Sequence, residues 1–239
     1  MTITKSEITS IMATGNYGVC YEPIKETHGL KTIAYEALSR FKHKEKMVTP
    51  DIFFKAVHQD VDLFFYIEST LKKFQLKNRI QEKKLFLNLD PDVSITETQI
   101  EFWVELLHKS RDIVIEIIEN SDEENVEDIK HFMEWLEMYK LPFAYDDFGK
   151  PNTLFFASLL HKSNYLKLDI YYLRTIRENP AYIEMLKGVV NFAKLKSQYT
   201  ILEGVETLED LRVAQDLGID YVQGYLFKQE FVSIWNNKD

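Results

Sequence analysis

The stretch Phe143-Ala144-Tyr145-Asp146-Asp147-Phe148-Gly149 reads as a short buried strand that delivers two adjacent carboxylates to its own C-terminal end. An isolated buried carboxylate is strongly disfavoured unless it is paired or binds a metal. Two in a row repel each other, so a cation is the natural neutraliser. Asp and Gly also mark ordinary turns for backbone reasons. The stretch therefore gains meaning only from what the neighbouring strands carry.

Working outward, strand and helix alternate. Upstream, Lys84 to Leu89 reads as a strand and Thr96 to His108 as a helix. Asp112 to Ile118 is a strand whose Ile and Val density suits a parallel strand covered on both faces. Val126, Ile129, Met133 and Leu136 recur at helical spacing behind the acidic run Ser121 to Asp128, which suits a helix N-terminus. Downstream come a helix from Asn152 to His161, a strand from Asn164 to Asp169, and a helix marked by Ile183, Leu186, Val190 and Ala193. Thr200 to Val205 is the next strand. Thr207 caps a helix that Gly218 ends, and Asp220 to Phe227 is the last strand.

At the N-terminal end, Tyr17 to Pro23 and Thr32 to Phe41 read as strands joined through Glu26-Thr27-His28-Gly29. That connector is too short for a parallel crossover, so this pair should be antiparallel. Phe41 to Met47 reads as a charged surface loop. Pro50 opens a helix over Asp51 to His58, and Val61 to Leu76 forms another. Eight strands with helices between nearly all of them favour an α/β fold, a TIM-like (βα)8 barrel with an antiparallel first strand. An open doubly wound sheet is the competing architecture, but no glycine-rich phosphate fingerprint follows an early strand. The expectation is a single domain over residues 1–239, with a core over roughly 16–235.

Composition narrows the function. With 239 residues, 45% of them hydrophobic, the chain can bury a large core. A formal net charge of −9 argues against binding polymeric nucleic acid, which needs a basic face to displace counterions. It leaves room for a small phosphorylated ligand, because bound metals supply positive charge locally. Cys20 is the only cysteine, so no intrachain disulfide forms. No apolar run approaches the ~20 residues needed to span a bilayer. A cytoplasmic location away from the membrane is the expectation.

In such barrels the chemistry lies at the C-terminal ends of the strands. Those ends carry Glu36 and Arg40, Asn88, Glu116 and Glu119, Asp146 and Asp147, Lys167, Glu203 and Glu206, and Gln223. One such residue means little, but a set in register on consecutive strands is hard to attribute to turns. The donors are carboxylates and an amide, which selects Mg²⁺ or Mn²⁺ over zinc or copper. The number of carboxylates exceeds what one cation needs, so a two-metal site is indicated, with Arg40 and Lys167 as countercharges for phosphate.

These residues resemble the EAL-domain cyclic di-GMP phosphodiesterase family. Glu36-Ala37-Leu38 with Arg40 matches its signature. The match continues through Asn88, Glu116-Ile117-Ile118-Glu119, Asp146-Asp147-Phe148-Gly149, Lys167-Leu168-Asp169, Glu203-Gly204-Val205-Glu206-Thr207 and Gln223-Gly224-Tyr225. The resemblance implies a stand-alone domain that hydrolyses cyclic di-GMP to the linear dinucleotide pGpG, with two ions of Mg²⁺ or Mn²⁺. By matching position, Glu36, Asn88, Glu116 and Asp146 would hold one metal, and Asp146 would bridge to a second near Asp147 and Glu203. Whether Glu203 is ligand or general base stays open. Lys167 and Gln223 would orient the attacking water, Arg40 would contact substrate phosphate, and Leu38 would line the pocket. Glu119 would anchor the loop after Asp147, and Glu206 would support from outside the ligand set. A homodimer and a regulatory protein partner are compatible with the resemblance.

The pattern breaks after Asp-Asp-Phe-Gly, where Lys150-Pro151 stands in place of the usual Thr-Gly. Proline fixes φ and lacks an N–H, so Pro151 cannot adopt backbone conformations that the family's glycine permits. Asp90 replaces a common serine, and Ile170-Tyr171-Tyr172 replaces a usual Arg-Ser-Phe. A catalytically weak barrel acting as a cyclic di-GMP sensor or protein-binding regulator is therefore the alternative reading. It would be marked by lost metal ligands, and none is lost.

Overall fold

The structure, a computed structural model, describes residues 3–110, 112–117, 126–151 and 160–236. Helix α1 (Lys5–Thr14) opens the described chain. Its first turn is closed by a capping box, in which the Thr4 hydroxyl accepts from the Glu7 amide and Glu7 returns to Thr4. Gly15, at φ 74°, ends it in the left-handed conformation. Strands β1 (Tyr17–Glu26) and β2 (Thr32–His43) follow as an antiparallel pair, as their short connector requires.

Segment 41–47 is not the expected loop. β2 runs on to His43, turns through Lys44 and Glu45, both at positive φ, and pairs with a short strand β3 (Lys46–Val48). Helices α2 (Pro50–Lys55) and α3 (Val61–Lys77) lead to β4 (Lys84–Asn88), a 3-10 turn (Pro91–Val93) and α4 (Glu97–His108). Then come β5 (Ile113–Ile117), α5 (Val126–Met138) and β6 (Phe143–Phe148). Of the helix expected over 152–161 only Leu160 and His161 fall within the described residues, and of the acidic run 121–128 only residues 126–128, in α5. β7 (Tyr165–Leu168), α6 (Tyr171–Glu178), α7 (Tyr182–Leu195), β8 (Tyr199–Leu202) and α8 (Leu208–Leu217) complete the alternation, with Thr207 and Gly218 capping α8. The last barrel strand, β9, is shorter than expected, at Tyr221–Val222. Beyond it the chain makes a 3-10 turn (Tyr225–Glu230) and a strand β10 (Val232–Trp235) that pairs antiparallel with β1.

The pairing order closes on itself: β1–β2–β4–β5–β6–β7–β8–β9 and back to β1, with β3 and β10 added outside the ring. β1 is antiparallel to both barrel neighbours and the other seven barrel strands are mutually parallel. β9 holds β1 only at Glu26 and Lys25, and β10 covers β1 at 18–21. This is the (βα)8 barrel with a reversed first strand.

Two cores result. The larger lies between the barrel and its helices. The smaller gathers Ile24, Ala34, Phe86, Val114, Ala144, Tyr165 and Ile201, one from each of seven strands, with Tyr221 of β9 packed against them. Only the barrel interior can collect one residue from every strand. Side chains in a strand return to the same face every second residue. Two residues further along the parallel strands, that face carries Glu36, Asn88, Glu116, Asp146, Lys167, Glu203 and Gln223. An apolar plug thus supports a polar layer at the C-terminal mouth.

Candidate active site

Lys167 stands at the centre of the polar layer, with no exposed side-chain surface. Its Nζ lies 2.5 Å from Glu116 Oε1, 2.8 Å from Glu203 Oε1, 2.9 Å from Asp146 Oδ1 and 3.5 Å from Glu36 Oε2. The amides tie the acids together. Asn88 Nδ2 donates to Glu36 Oε1 and to Glu116 Oε2, each at 3.0 Å, and Gln223 Nε2 donates to Glu36 Oε2 at 2.5 Å. The amide oxygen of Gln223 is buried with no hydrogen-bond partner among the described residues.

An ammonium has three N–H donors. It cannot satisfy four carboxylates at once. Burial pushes the carboxyls of Glu116 and Glu203 well above the ordinary carboxylate range, and that of Asp146 upward, against the pull of Lys167. Burial acts on Glu36 in the same direction, but Lys167 and the amides of Gln223 and Asn88 hold it below its usual value. Burial acts to lower the pKa of Lys167. Asp146, Glu116, Glu203 and Glu36 outweigh that and raise it well above 10.5, so it stays an ammonium.

The two aspartates of β6 both reach the mouth because the strand is irregular. The register passes from Tyr145↔Leu166 to Phe148↔Leu168, three residues on β6 against two on β7. Asp147 absorbs the extra residue at φ 55°. In a regular strand Asp146 and Asp147 would face opposite sides. Here Asp146, Asp147 and Glu203 each offer a carboxylate oxygen within 4.8 Å of one another. Gly149 follows at φ 89°, packed so closely on Tyr172 that an added Cβ would sit 2.1 Å from the ring. The position requires glycine on both counts.

Above the polar layer opens a cavity of about 660 Å³ lined by Leu38, Arg40, Asn88, Asp146, Asp147, Glu203, Glu206 and Gln223 among others. That volume suits a nucleotide-sized ligand. The hard oxygen donors around it, crowded beyond what one ammonium can neutralise, fit a divalent metal centre.

The family model of the EAL domain matches residues 7–230. The chain belongs to the EAL domain family. It is 26% identical over 225 residues to the cyclic di-GMP phosphodiesterase PdeF of Escherichia coli (strain K12), covering 86% of this chain and 28% of that protein. The barrel is similar to the EAL protein YkuI of Bacillus subtilis, solved with cyclic di-GMP and calcium, at a TM-score of 0.76 and 20% identity over 92% of this chain and 57% of that one. It is also similar to Klebsiella pneumoniae BlrP1, solved with manganese and cyclic di-GMP, at 0.75 and 21% over 93% and 57%. The EAL chain therefore spans less than a third of PdeF.

Of the residues singled out in the EAL sequence, Glu36, Asn88, Glu116, Asp146, Lys167, Glu203 and Gln223 form one connected cluster. Asp147 flanks it, with its Oδ2 held at 2.6 Å by Lys150 Nζ. Arg40 and Leu38 line the wall, and Arg40 pairs with Glu22. Glu206 is exposed at the rim, and its backbone N–H donates to Asp210 Oδ2. Glu119 lies outside the described residues.

Glu22 and the pair Glu68–Lys72 line the cavity and were not anticipated. Glu68 and Lys72 form a buried ion pair at 2.8 Å inside α3, where an i,i+4 spacing reads from sequence as a solvated face. Asp90 also lines the wall. Its Oδ1 accepts from the Asp92 amide, and His58 Nε2 bridges Asp90 and Asp92 at 3.4 and 3.3 Å. No helix among the described residues is long and apolar enough to cross a membrane.

Proposed function

We propose that the protein hydrolyses cyclic di-GMP to pGpG in a reaction that depends on two divalent cations, Mg²⁺ or Mn²⁺. The observation that carries this reading is the crowding of Glu36, Glu116, Asp146 and Glu203 on the single ammonium of Lys167 at the floor of the cavity. Relatives named as cyclic di-GMP phosphodiesterases supply the substrate class.

Glu36, Asn88, Glu116 and Asp146 would hold one ion, and Asp146, Asp147 and Glu203 the other. Bound there, the cations supply an activated water at neutral pH and neutralise charge on the transferring phosphoryl group. Lys167 and Gln223 orient the water, whose oxygen attacks phosphorus. Glu203 either takes the water's proton or serves as a ligand. The P–O3′ bond breaks, the 3′ oxygen gains a proton, and the phosphate stays on the 5′ side, as pGpG requires. Arg40 holds phosphate oxygens through charge-assisted hydrogen bonds, and Leu38 packs against the ligand. Action on an intracellular nucleotide implies a cytoplasmic location.

A sensor reading has one observation in its favour. Lys150, in place of the family's threonine, puts an ammonium on Asp147. Chromatography of cyclic di-GMP incubated with protein and Mn²⁺ or Mg²⁺ separates the two. Appearance of pGpG that a chelator abolishes supports the enzyme. Saturable binding by calorimetry without product favours the sensor.

A further inference from the structure

Every parallel barrel strand contributes to the polar layer two residues after its apolar interior residue. β1 runs the other way, so its contribution comes two residues before Ile24, at Glu22. Glu22 is the Cα partner of Glu36 across the β1–β2 ladder, lines the cavity, and has a side chain only 12% exposed. Its Oε1 lies 3.1 Å from Nη2 of Arg40, whose Nη1 donates to Ser39 O at 3.1 Å.

We infer that Glu22 is a positioning residue for substrate binding, fixing the Arg40 guanidinium in the orientation that receives a phosphate of the cyclic dinucleotide. This rests on the reading of Arg40 as the phosphate contact. A free arginine side chain carries substantial rotamer entropy, and immobilising it on binding weakens affinity. Glu22 and Ser39 hold one N–H on each terminal nitrogen and leave the rest of the five-donor fork for the ligand. The carboxylate itself is poorly placed to touch an anion, being an acceptor beside the acid Glu36. Among the described residues, its hydrogen-bond partner is Arg40. Burial and Glu36 push its carboxyl above the ordinary range, which Arg40 counters.

The test is steady-state hydrolysis of cyclic di-GMP with Mn²⁺, together with calorimetric binding of the same nucleotide with Ca²⁺. Glu22→Ala should raise KM about tenfold, the upper end of ordering one such side chain, with kcat within about twofold. Glu22→Asp keeps the charge but withdraws it by one methylene, and should raise KM as well. Glu22→Gln still offers an oxygen to Nη2 and should restore KM to within about twofold. Because Glu22 acts through Arg40, Glu22→Ala should add nothing to Arg40→Ala. Wild-type KM in folded Glu22→Ala and Glu22→Asp, or additive losses in the double variant, overturns the inference alone. Unchanged binding in Arg40→Ala overturns it together with the reading of Arg40.

Discussion

The ammonium of Lys167 lies 2.5 Å from Oε1 of Glu116, and neither side chain has any exposed surface. Glu116 reaches that position from β5 and Lys167 from β7, each two residues beyond an apolar plug residue, Val114 and Tyr165. The pair is the densest point of a charged layer with four acids around one base.

Lys167 should therefore be needed for folding of the metal-free protein as well as for chemistry. Removing one partner of a buried ion pair typically costs about 3–5 kcal/mol, because the remaining charge is uncompensated. Lys167→Met should lower stability by that order in the presence of a chelator. Excess Mn²⁺ should recover part of the loss, since the acids then gain another cation. Denaturation with and without metal checks this. Equal stability of wild type and variant under chelation would contradict the central role given to the ammonium.

Lys150 is already a cation on Asp147, at 2.6 Å and about half exposed. An ion must displace it or share the carboxylate. Exposed pairs are worth up to about 1 kcal/mol, so Lys150→Thr should tighten the weaker Mn²⁺ binding step up to about fivefold by calorimetry. An unchanged isotherm would show that the pair does not compete with metal.

Gly149 carries φ 89° and sits on the Tyr172 ring. Gly149→Ala should cost about 1–3 kcal/mol of strain and disturb the irregularity that turns Asp147 to the mouth. Loss of activity greater than loss of folded protein, followed by circular dichroism, is the expected result. Full activity would show that the loop after Asp147 tolerates repositioning.

His58 contributes a pH-dependent term. Its hydrogen bond to Asp90, with the charges of Asp90 and Asp92, raises its pKa above 6.5 against partial burial. A raised histidine contributes stability that is fully present below the unfolded value of 6.5 and is lost as pH climbs through the folded value. Wild type should exceed His58→Gln in stability below that value, with the gap closing as pH rises above the folded pKa. Denaturant midpoints across that range measure it, and a pH-independent gap would contradict the assignment.

Much of this was legible because parallel strands advertise themselves. Ile113–Ile117 is buried at every position, and such runs end in the acids that mark the mouth. Glu22 was not legible because β1 runs on past Pro23 to Glu26, so Ile24 joins the barrel interior only in the folded ring. On the reversed β1 the mouth-facing residue precedes the apolar one. Helix α1 did carry a signal, Thr4 and Glu7 at capping-box spacing before Ile8, Ile11 and Met12. The extension of β2 and the strand β10 were hidden because both are edge pairings outside the barrel, formed by mixed polar and apolar residues whose burial is set only by tertiary contact. The bulge at Asp147 is likewise a product of register with β7, which no local pattern encodes.

The most direct test of the account is the rate of pGpG formation from cyclic di-GMP as a function of Mn²⁺, in wild type beside folded Glu36→Ala, Asp146→Asn and Glu203→Ala. The account predicts saturable metal dependence in wild type, abolished by a chelator, and rates at least about a hundredfold lower in each variant. Metal-independent turnover, or wild-type rates in any of the three, would contradict it.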